Sequence, residues 1–170
     1  TEIYTLSLHD ALPIFRTHLL DAAEDAGFGP MKGTVDSVVC LNVLEHVEDD
    51  RAGFRNLHDV LEPGGRAVVL VPQGMGLYGT LDEVLGHCRR YTRAGLEARM
   101  REAGFEVERV FDFNRLTRIG WWLNGRVLRR RTFGRFQLAV FDRMAWLWKR
   151  LERVLPWGGV SLIAVGRKRG

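Results

Sequence analysis

The sequence lacks any apolar run long enough to cross a membrane, and it has little cysteine. Its longest uninterrupted apolar stretches, such as 67–71 and 145–148, are short, whereas a membrane-spanning helix needs roughly 20 apolar residues. Cys40 and Cys88 show no CxxC spacing, and no secretory leader is recognisable. We therefore expect a soluble protein of the reducing cytoplasm.

Acidic residues are scarce in the last third of the chain. Between Arg115 and Arg153 there are 11 Lys/Arg and 2 Asp/Glu, a net charge of +9, whereas the whole chain carries +4. This imbalance predicts a local role for the basic segment. With 170 residues and 46% hydrophobic content, the chain is long enough for one compact domain with a sizeable core.

Strand-like and helical segments alternate in the interior of the chain. The run 35–41 is β-branched and apolar after Ser37, typical of a strand buried on both faces. Acids at 48–50 and apolar residues at helical spacing predict a helix that stops at Pro63-Gly64-Gly65. A second buried strand is predicted at 66–71 and ends at Pro72.

The alternation continues with a helix at 93–103 closed by Gly104 and a strand at 105–113, while a last strand at 161–166 stands after a break in this alternation. It predicts a parallel sheet with right-handed crossovers, whose ligands bind at the carboxyl ends of the strands. The loops at 41–46 and 72–79 are therefore where we expect chemistry.

Two parts of the chain do not fit this alternation. Residues 1–15 have no clear period and resemble translated sequencing-adapter text, so we interpret them as a foreign or disordered segment preceding one domain at 16–170. Two helical segments, 116–130 and 136–154, precede the last strand. They predict a helical lid or platform at 115–157.

Three motifs resemble class I S-adenosylmethionine-dependent methyltransferases. VDSVVCLNVLEHV at 35–47, LEPGG at 61–65 and VVLVP at 68–72 are similar to the family's fourth strand, following helix and fifth strand. The Val-Leu-Glu-His segment is shared with quinone-biosynthesis and cell-surface-sugar methyltransferases. The resemblance implies an α/β fold: a Rossmann-like sheet, here truncated and lacking its first strands, with a helical insertion before the last strand.

The resemblance also implies a cofactor site. In the family, the loop after the fourth strand passes along S-adenosylmethionine, which makes Leu41, Asn42 and Val43 cofactor contacts, and Asp21 stands at the position that binds the adenine amino group. The family's glycine-rich turn, D/E-x-G-x-G-x-G, and the acid that binds the ribose are absent. Gly27-Phe28-Gly29 has neither a buried strand before it nor a helix after it.

Glu45 and His46 leave three interpretations open. Some quinone and small-RNA methyltransferases use E-x-x-E-H as metal ligands, but here Asn42 replaces the first acid, and an amide is a weaker ligand for a hard cation. His46 is alternatively a general base, or packs locally before a helix. We assign no metal ligand, and take His46 as a catalytic candidate and Glu45 as an acceptor-site candidate.

The motif DEVLGHCRRY resembles a segment that borders the acceptor site in a subset of these enzymes. His87 could donate to or deprotonate an acceptor hydroxyl, while a carboxylate or phosphate could be held by Arg89, Arg90 and Tyr91. Alternatively, the acid of the motif pairs with an arginine and the motif braces its loop. Asn114, after the strand at 105–113, either faces the acceptor or forms a turn.

The segment 116–155 combines a broad apolar face, tryptophans and a cationic stripe. This pattern favours peripheral contact with a membrane, or a lid over a lipid-linked acceptor. Packing of the apolar face on the sheet is the alternative. Nucleic acid ranks third as a partner, because the aromatic residues lie mainly on the apolar face and not among the cations.

The resemblance thus implies a methyltransferase that acts on the oxygen of a small or lipid-linked acceptor, such as a quinol precursor or a sugar. Two other functions remain open: a non-catalytic remnant that binds a membrane or a partner, and an RNA methyltransferase, which salt-sensitive RNA binding would mark. We expect a cytoplasmic location, peripheral to the membrane if 116–155 binds lipid.

We predict that this chain by itself is inactive and binds S-adenosylmethionine weakly or not at all, because the glycine-rich turn that approaches the cofactor is missing from it. Isothermal titration calorimetry measures this directly. A micromolar dissociation constant would contradict the prediction.

Overall fold

The computed structural model describes residues 21–24, 27–132, 134, 139, 142–144, 146–147, 150 and 154–170. The predictions made for 1–15, and most of the helix predicted at 136–154, lie outside these residues. Those predictions therefore stay predictions.

Strands and helices alternate through the described part of the chain. In order they are β1 (Val35–Leu41), α1 (Asp50–Val60), β2 (Leu61–Pro72), α2 (Thr80–Leu85), α3 (Arg93–Glu102), β3 (Phe105–Phe113), α4 (Thr117–Trp122) and β4 (Ser161–Lys168). Short 3-10 helices occupy Gly29–Met31 and Met75–Leu77, and a π-helical segment, Leu123–Val127, continues α4. The helix predicted at 116–130 is therefore α-helical only in its first part, and α2 was not predicted.

The strands form one sheet in the order β1-β2-β4-β3. β1 and β2 are neighbours and run parallel, with Val38 opposite Ala67 and Leu41 opposite Leu70. β4 lies antiparallel to both β2 and β3. The predicted parallel pair is thereby confirmed, and the carboxyl ends of β1, β2 and β3 share one edge of the sheet.

The Pro-Gly-Gly sequence lies inside β2 and does not end α1. α1 ends at Val60, and Leu61 already pairs with Val35. The register then jumps so that Ser37 pairs with Arg66, and the intervening bulge holds Gly64 at φ +88°. The predicted helix stop was wrong, because pairing with β1 starts the strand before the turn signal is reached.

The core lies between the sheet and helices α1 and α3. Its fully buried side chains include Phe54 of α1, Leu96 and Met100 of α3, and Leu162 of β4. The hydroxyl of Thr92 caps α3 by accepting the Gly95 N–H at 3.0 Å, and Gly104 ends it at φ +100°. The predicted boundaries of α3 are therefore confirmed within one residue.

β1 is an edge strand, and no other described strand pairs with its outer side. Val39 and Leu41 are 66% and 51% exposed, although the sequence pattern predicts burial on both faces. That prediction is not met within the described residues, because nothing among them covers the face that carries these two side chains. The described part of the chain also contains no helix that is long and apolar enough to cross a membrane.

The helical insertion leaves the sheet and returns to it at one corner. Asn114, at φ 59°, accepts the Val160 N–H through its carbonyl at 3.2 Å. Arg118 donates to the Gly159 carbonyl at 2.9 Å. A Cβ on Gly159 would collide with the backbone of Phe113, so this return requires glycine.

The carboxylate of Asp112 holds the same corner. It accepts the Gly159 N–H at 3.0 Å and pairs with Arg93 at 2.8 Å. Burial raises the pKa of Asp112, but the hydrogen bonds from Gly159, Gln73 and Arg93 outweigh it and leave the pKa below its usual range.

We predict that Asp112→Asn lowers the free energy of unfolding by about 1–2 kcal/mol at neutral pH, through lost hydrogen bonds to a charged group. A carboxyl group whose pKa is lower in the folded than in the unfolded state stabilises the fold fully at pH values above its unfolded-state pKa. This stabilisation is lost as the pH falls through the folded-state pKa. Urea unfolding should therefore show the variant and the wild type converging in acid. Asp36→Asn, at an exposed acid of β1, is the control, and an equal loss in both variants would contradict the prediction.

Candidate functional site

A mostly apolar cavity of about 800 Å³ opens at the edge of the sheet where β1, β2 and β3 end. This is where parallel strands are expected to place a ligand. Its lining residues are Asn42, His46, Leu70, Pro72, Leu85, His87, Arg90, Phe113, Asn114, Leu116, Thr117, Ile119, Gly120, Trp121, Val160 and Ser161.

Two histidines from different motifs meet at this cavity. The ring centroids of His46 and His87 lie 4.9 Å apart, in an edge-to-face arrangement. His46 Nδ1 lies 3.1 Å from the Gly86 carbonyl oxygen. Because a carbonyl can only accept, this nitrogen carries the hydrogen and the Nε2 of His46 keeps a free lone pair.

The loops that carry the histidines are joined by backbone hydrogen bonds. The Cys88 N–H donates to the Glu45 carbonyl at 2.7 Å, and the His87 N–H donates to the Asp82 carbonyl at 2.9 Å. Gly86 ends α2 in the left-handed conformation, at φ +75°. This turn directs the chain after α2 back towards the loop that follows β1.

Asp82 is fully buried and accepts four hydrogen bonds. Oδ1 lies 2.7 Å from His87 Nδ1 and 2.8 Å from Arg90 Nε, while Oδ2 accepts the Gly79 N–H at 3.1 Å and the Trp121 indole N–H at 3.2 Å. Burial raises the pKa of Asp82, yet the hydrogen bonds from His87 and Arg90 overcome it and lower the pKa below its usual range. The ionised carboxylate therefore fixes the hydrogen of His87 on Nδ1, which leaves Nε2 as an acceptor.

Glu45 is the third ionisable group of the cluster. Its side chain is fully buried, and within the described residues neither carboxylate oxygen has a hydrogen-bond partner. Burial raises its pKa, against the opposing effect of His87 and His46. His87 Nε2 lies 3.9 Å from Glu45 Oε1, so the two groups face each other without a hydrogen bond.

These three residues could hold a divalent cation. Glu45, His46 and His87 offer ligand atoms that all lie within 4.8 Å of one another. Two imidazoles and one carboxylate suit Zn²⁺, Fe²⁺ and related ions. The Nδ1 hydrogen bonds to Gly86 and Asp82 orient both rings as second-shell partners do in metal sites. The sequence motifs placed Glu45 and His46 together, but they did not connect them with His87.

Three of the predicted acceptor-binding residues do not belong to the cavity lining: Glu45, which is buried behind the two histidines, Arg89 and Tyr91. Arg89 donates to the carbonyls of Val47 and Glu48, each at 2.8 Å, and pairs with Asp50 at 3.3 Å. The Tyr91 hydroxyl is buried and donates to Asp50 at 2.9 Å. Arg89 and Tyr91 thus both hold Asp50 at the N-terminus of α1.

Arg90 and Asn114 do reach the cavity, but both have structural tasks there. The Arg90 side chain is 1% exposed, and it donates to Asp82 and to the carbonyls of Gln73 and Val160. Few of its donors are left for a ligand. Asn114 forms the left-handed turn after β3 and also lines the cavity.

Only some of the predicted cofactor contacts lie at the cavity. Asn42 lines the cavity, and Leu41 is half exposed beside it. Val43 packs partly against the core. Asp21 lies in a turn, where its side chain accepts the Ala23 N–H at 2.8 Å, and it does not belong to the cavity lining.

The sequence motifs missed the apolar wall of the cavity. Leu85 comes from α2, Leu116 precedes α4, and Ile119 and Trp121 come from α4 itself. The apolar positions in the predicted helix 116–130 were the available signal. The sequence leaves membrane contact, a lid over the acceptor and packing on the sheet open for these positions, because nothing local shows which of them turn inward.

Comparison with known proteins assigns the fold and the family. A model of the methyltransferase domain matches residues 9–110. No curated protein matches the chain with significance. Among solved structures, a Bacillus halodurans C-125 protein described as a methyltransferase has a TM-score of 0.56 at 16% identity, and the match covers 88% of this chain and 76% of that one.

Two further structures share the fold. A SAM-dependent methyltransferase from Archaeoglobus fulgidus has a TM-score of 0.54 at 16% identity, over 91% of this chain and 68% of that one. The [4+2]-cyclase SpnF has a TM-score of 0.53 at 19% identity, over 89% of this chain and 55% of that one. The chain thus spans little more than half of the cyclase and a larger part of the other two structures, and likeness at this identity establishes the fold alone.

We predict that Asp82→Asn lowers the free energy of unfolding by roughly 3–5 kcal/mol, because it leaves the buried Arg90 without its counter-ion. The double variant Asp82→Asn/Arg90→Met should recover part of the loss, since it also removes the buried cation. Urea unfolding followed by circular dichroism measures both. Asp59→Asn, at an exposed ion pair, is the control, and an equally small loss for Asp82→Asn would contradict the prediction.

Proposed function

Because this chain belongs to the methyltransferase domain family, we propose that it methylates a hydroxyl oxygen of an apolar or lipid-linked acceptor, with S-adenosylmethionine as the donor. The observation that carries the proposal is the pair of histidines at the apolar cavity, each with Nδ1 hydrogen-bonded to the protein. That arrangement leaves two imidazole acceptors at the place where the fold binds ligands.

The residues present fit part of a cofactor site. Asn42 directly follows β1 and has φ 53°, a conformation that few residues other than glycine adopt. Its N–H donates to the Leu70 carbonyl at 3.0 Å, and the residue lines the cavity with an amide that can both donate and accept. Half-exposed Leu41 adds apolar surface next to it. Bound S-adenosylmethionine supplies an electrophilic methyl group on a sulfonium.

Proton removal from the acceptor falls to His87 in this proposal. A hydroxyl loses its proton as its oxygen forms the bond to carbon, so a base is needed within hydrogen-bond reach. The Nε2 of His87 is available as acceptor, and the ionised Asp82 on Nδ1 stabilises the imidazolium that results. His46, beside it, is placed to orient the hydroxyl.

The lining of the cavity favours an apolar acceptor. Leu85, Phe113, Ile119 and Trp121 form much of its wall. Such a wall excludes water and holds the acceptor in a fixed pose, and in-line displacement at a methyl group depends above all on that alignment. A quinol precursor or a lipid-linked sugar presents such a body with a hydroxyl.

A divalent cation on Glu45, His46 and His87 is the second candidate for binding the acceptor oxygen. The specific observation in its favour is the buried carboxylate of Glu45, whose oxygens have no hydrogen-bond partner among the described residues. A cation there would hold the hydroxyl as a Lewis acid, and His87 would then serve as a ligand instead of a base.

The activity is tested with tritiated methyl donor, supplied at a concentration high enough to load a weak site, and with amphiphilic phenols and hydroxylated lipids as acceptors. We expect label in the extracted acceptor at this high donor concentration, and none at the low concentrations at which the chain alone is expected to be inactive. His87→Gln should lower the rate at least ~100-fold, the usual contribution of a general base. His58→Gln, at a histidine of α1 outside the cavity lining, should leave the rate unchanged.

Chelation separates the two roles of the cluster. We expect activity to survive EDTA if His87 acts as the base, whereas loss that Zn²⁺ or Co²⁺ restores assigns the cluster to a cation. Label in amines or in RNA, with none in hydroxylated acceptors, would contradict O-methylation. Failure to bind S-adenosylhomocysteine at any concentration would instead favour a non-catalytic remnant.

A further inference from the structure

Apolar side chains are exposed on one face of the helical insertion and on the neighbouring helix α2. We call this face the α4 surface, and its members are each between 41% and 52% exposed. They are Val84, Leu85, Ile119, Trp122, Leu123, Val127 and Leu128. Single exposed apolar residues are ordinary, but a group of this size on adjoining elements marks an interaction site.

In the helical insertion the usual arrangement of an amphipathic helix is reversed: polar and small residues face the protein, and large apolar residues face outward. Asn124 and Gly125 face inward and are buried, whereas Leu123 and Val127 face outward. The inner contacts are polar and close: Thr80 donates to the Gly125 carbonyl at 3.0 Å. A helix that only packed on its own domain would bury its large apolar side chains and expose the amide.

Arginines that have no carboxylate partner among the described residues accompany this apolar face along the chain. No Asp or Glu occurs from Phe113 to Phe141. Five arginines lie between residues 116 and 131: Arg118, Arg126, Arg129, Arg130 and Arg131. Within the described residues three of them donate to carbonyl or amide oxygens, and Arg129 and Arg131 are exposed. No ion pair to a carboxylate is formed by any of the five in that part of the chain.

We infer that the α4 surface docks on an anionic phospholipid surface. Apolar side chains that enter the interface and arginines that reach lipid phosphates are the two components of such binding. Two copies of the chain would bring uncompensated arginines together, which disfavours self-association. A nucleic-acid site would place aromatic rings among the cations, whereas Trp122 lies with the aliphatic residues.

The cavity lies next to the α4 surface. Leu85 and Ile119 belong both to the α4 surface and to the cavity lining. The cavity therefore adjoins the face that would meet the lipid. A lipid-linked acceptor would then reach the histidines directly from the bilayer, and this further step rests on the proposed function. Docking itself does not rest on it.

Vesicle sedimentation tests the docking, with neither methyl donor nor acceptor present, so docking and methyl transfer can fail separately. We expect the chain to bind vesicles of phosphatidylcholine and phosphatidylglycerol in equal parts, to bind pure phosphatidylcholine much more weakly, and to be released by salt. Arg129→Gln/Arg131→Gln should weaken binding roughly 30-fold, the factor expected when two cations leave an anionic surface.

Removal of the apolar contacts tests the other component. Leu123→Ser/Val127→Ser should weaken binding roughly tenfold, through lost apolar contact with the interface. Matched controls lie elsewhere: Arg55→Gln/Arg169→Gln removes two exposed cations, and Val39→Ser removes an exposed apolar side chain of β1. Thermal unfolding followed by circular dichroism confirms that each variant is folded.

Several results would overturn the inference. Equal binding to both kinds of vesicle removes the role of the anionic lipid, and equal losses in the controls remove the role of the α4 surface. Single-stranded RNA bound through Arg129 and Arg131, without vesicle binding, would assign the surface to nucleic acid. A dimer that Leu123→Ser/Val127→Ser dissociates in sedimentation equilibrium would assign it to a contact between copies.

Discussion

The buried negative charge of Asp82 is the constraint on which the site depends. It is bound at once by an imidazole, a guanidinium, an indole and a backbone N–H. A carboxylate without solvent is tolerated only while such partners stay in place. One group therefore links the tautomer of His87, the contact of α4 with α2 and the stacking of Arg90, whose guanidinium carbon lies 5.0 Å from the centre of the Trp121 ring. The cavity wall and the candidate base are thus built together.

Much of the sheet could be predicted from local pattern, and its irregularities could not. The strand at 105–113 and helix α3 follow from apolar periodicity and the glycine at 104. Pro63 and Gly64 were misread because their conformation is set by pairing with a strand distant in sequence. The outward face of Leu123 and Val127 depends on close contact between Gly125 and α2, which no local pattern encodes.

The residues of the site likewise include some that the sequence could predict and contacts that it could not. His46 and His87 could each be selected from a motif, but their meeting with Glu45 depends on the loop contact between Cys88 and Glu45. Motif reasoning assigned Arg89 and Tyr91 to a ligand, since it cannot show that both point to Asp50. An acid at a helix N-terminus competes for nearby donors, and that competition is decided in three dimensions.

The closed corner at Asn114 and Val160 allows changes in the insertion to occur without changes in the sheet. One backbone hydrogen bond joins the two ends of the insertion, and Gly159 packs on Phe113 with no space for a side chain. Strand register is therefore independent of what lies between these ends. Apart from Trp121, whose indole N–H donates to Asp82, the intervening module can diverge in length and composition while the histidines keep their scaffold, so related chains could acquire new acceptors without rebuilding the sheet.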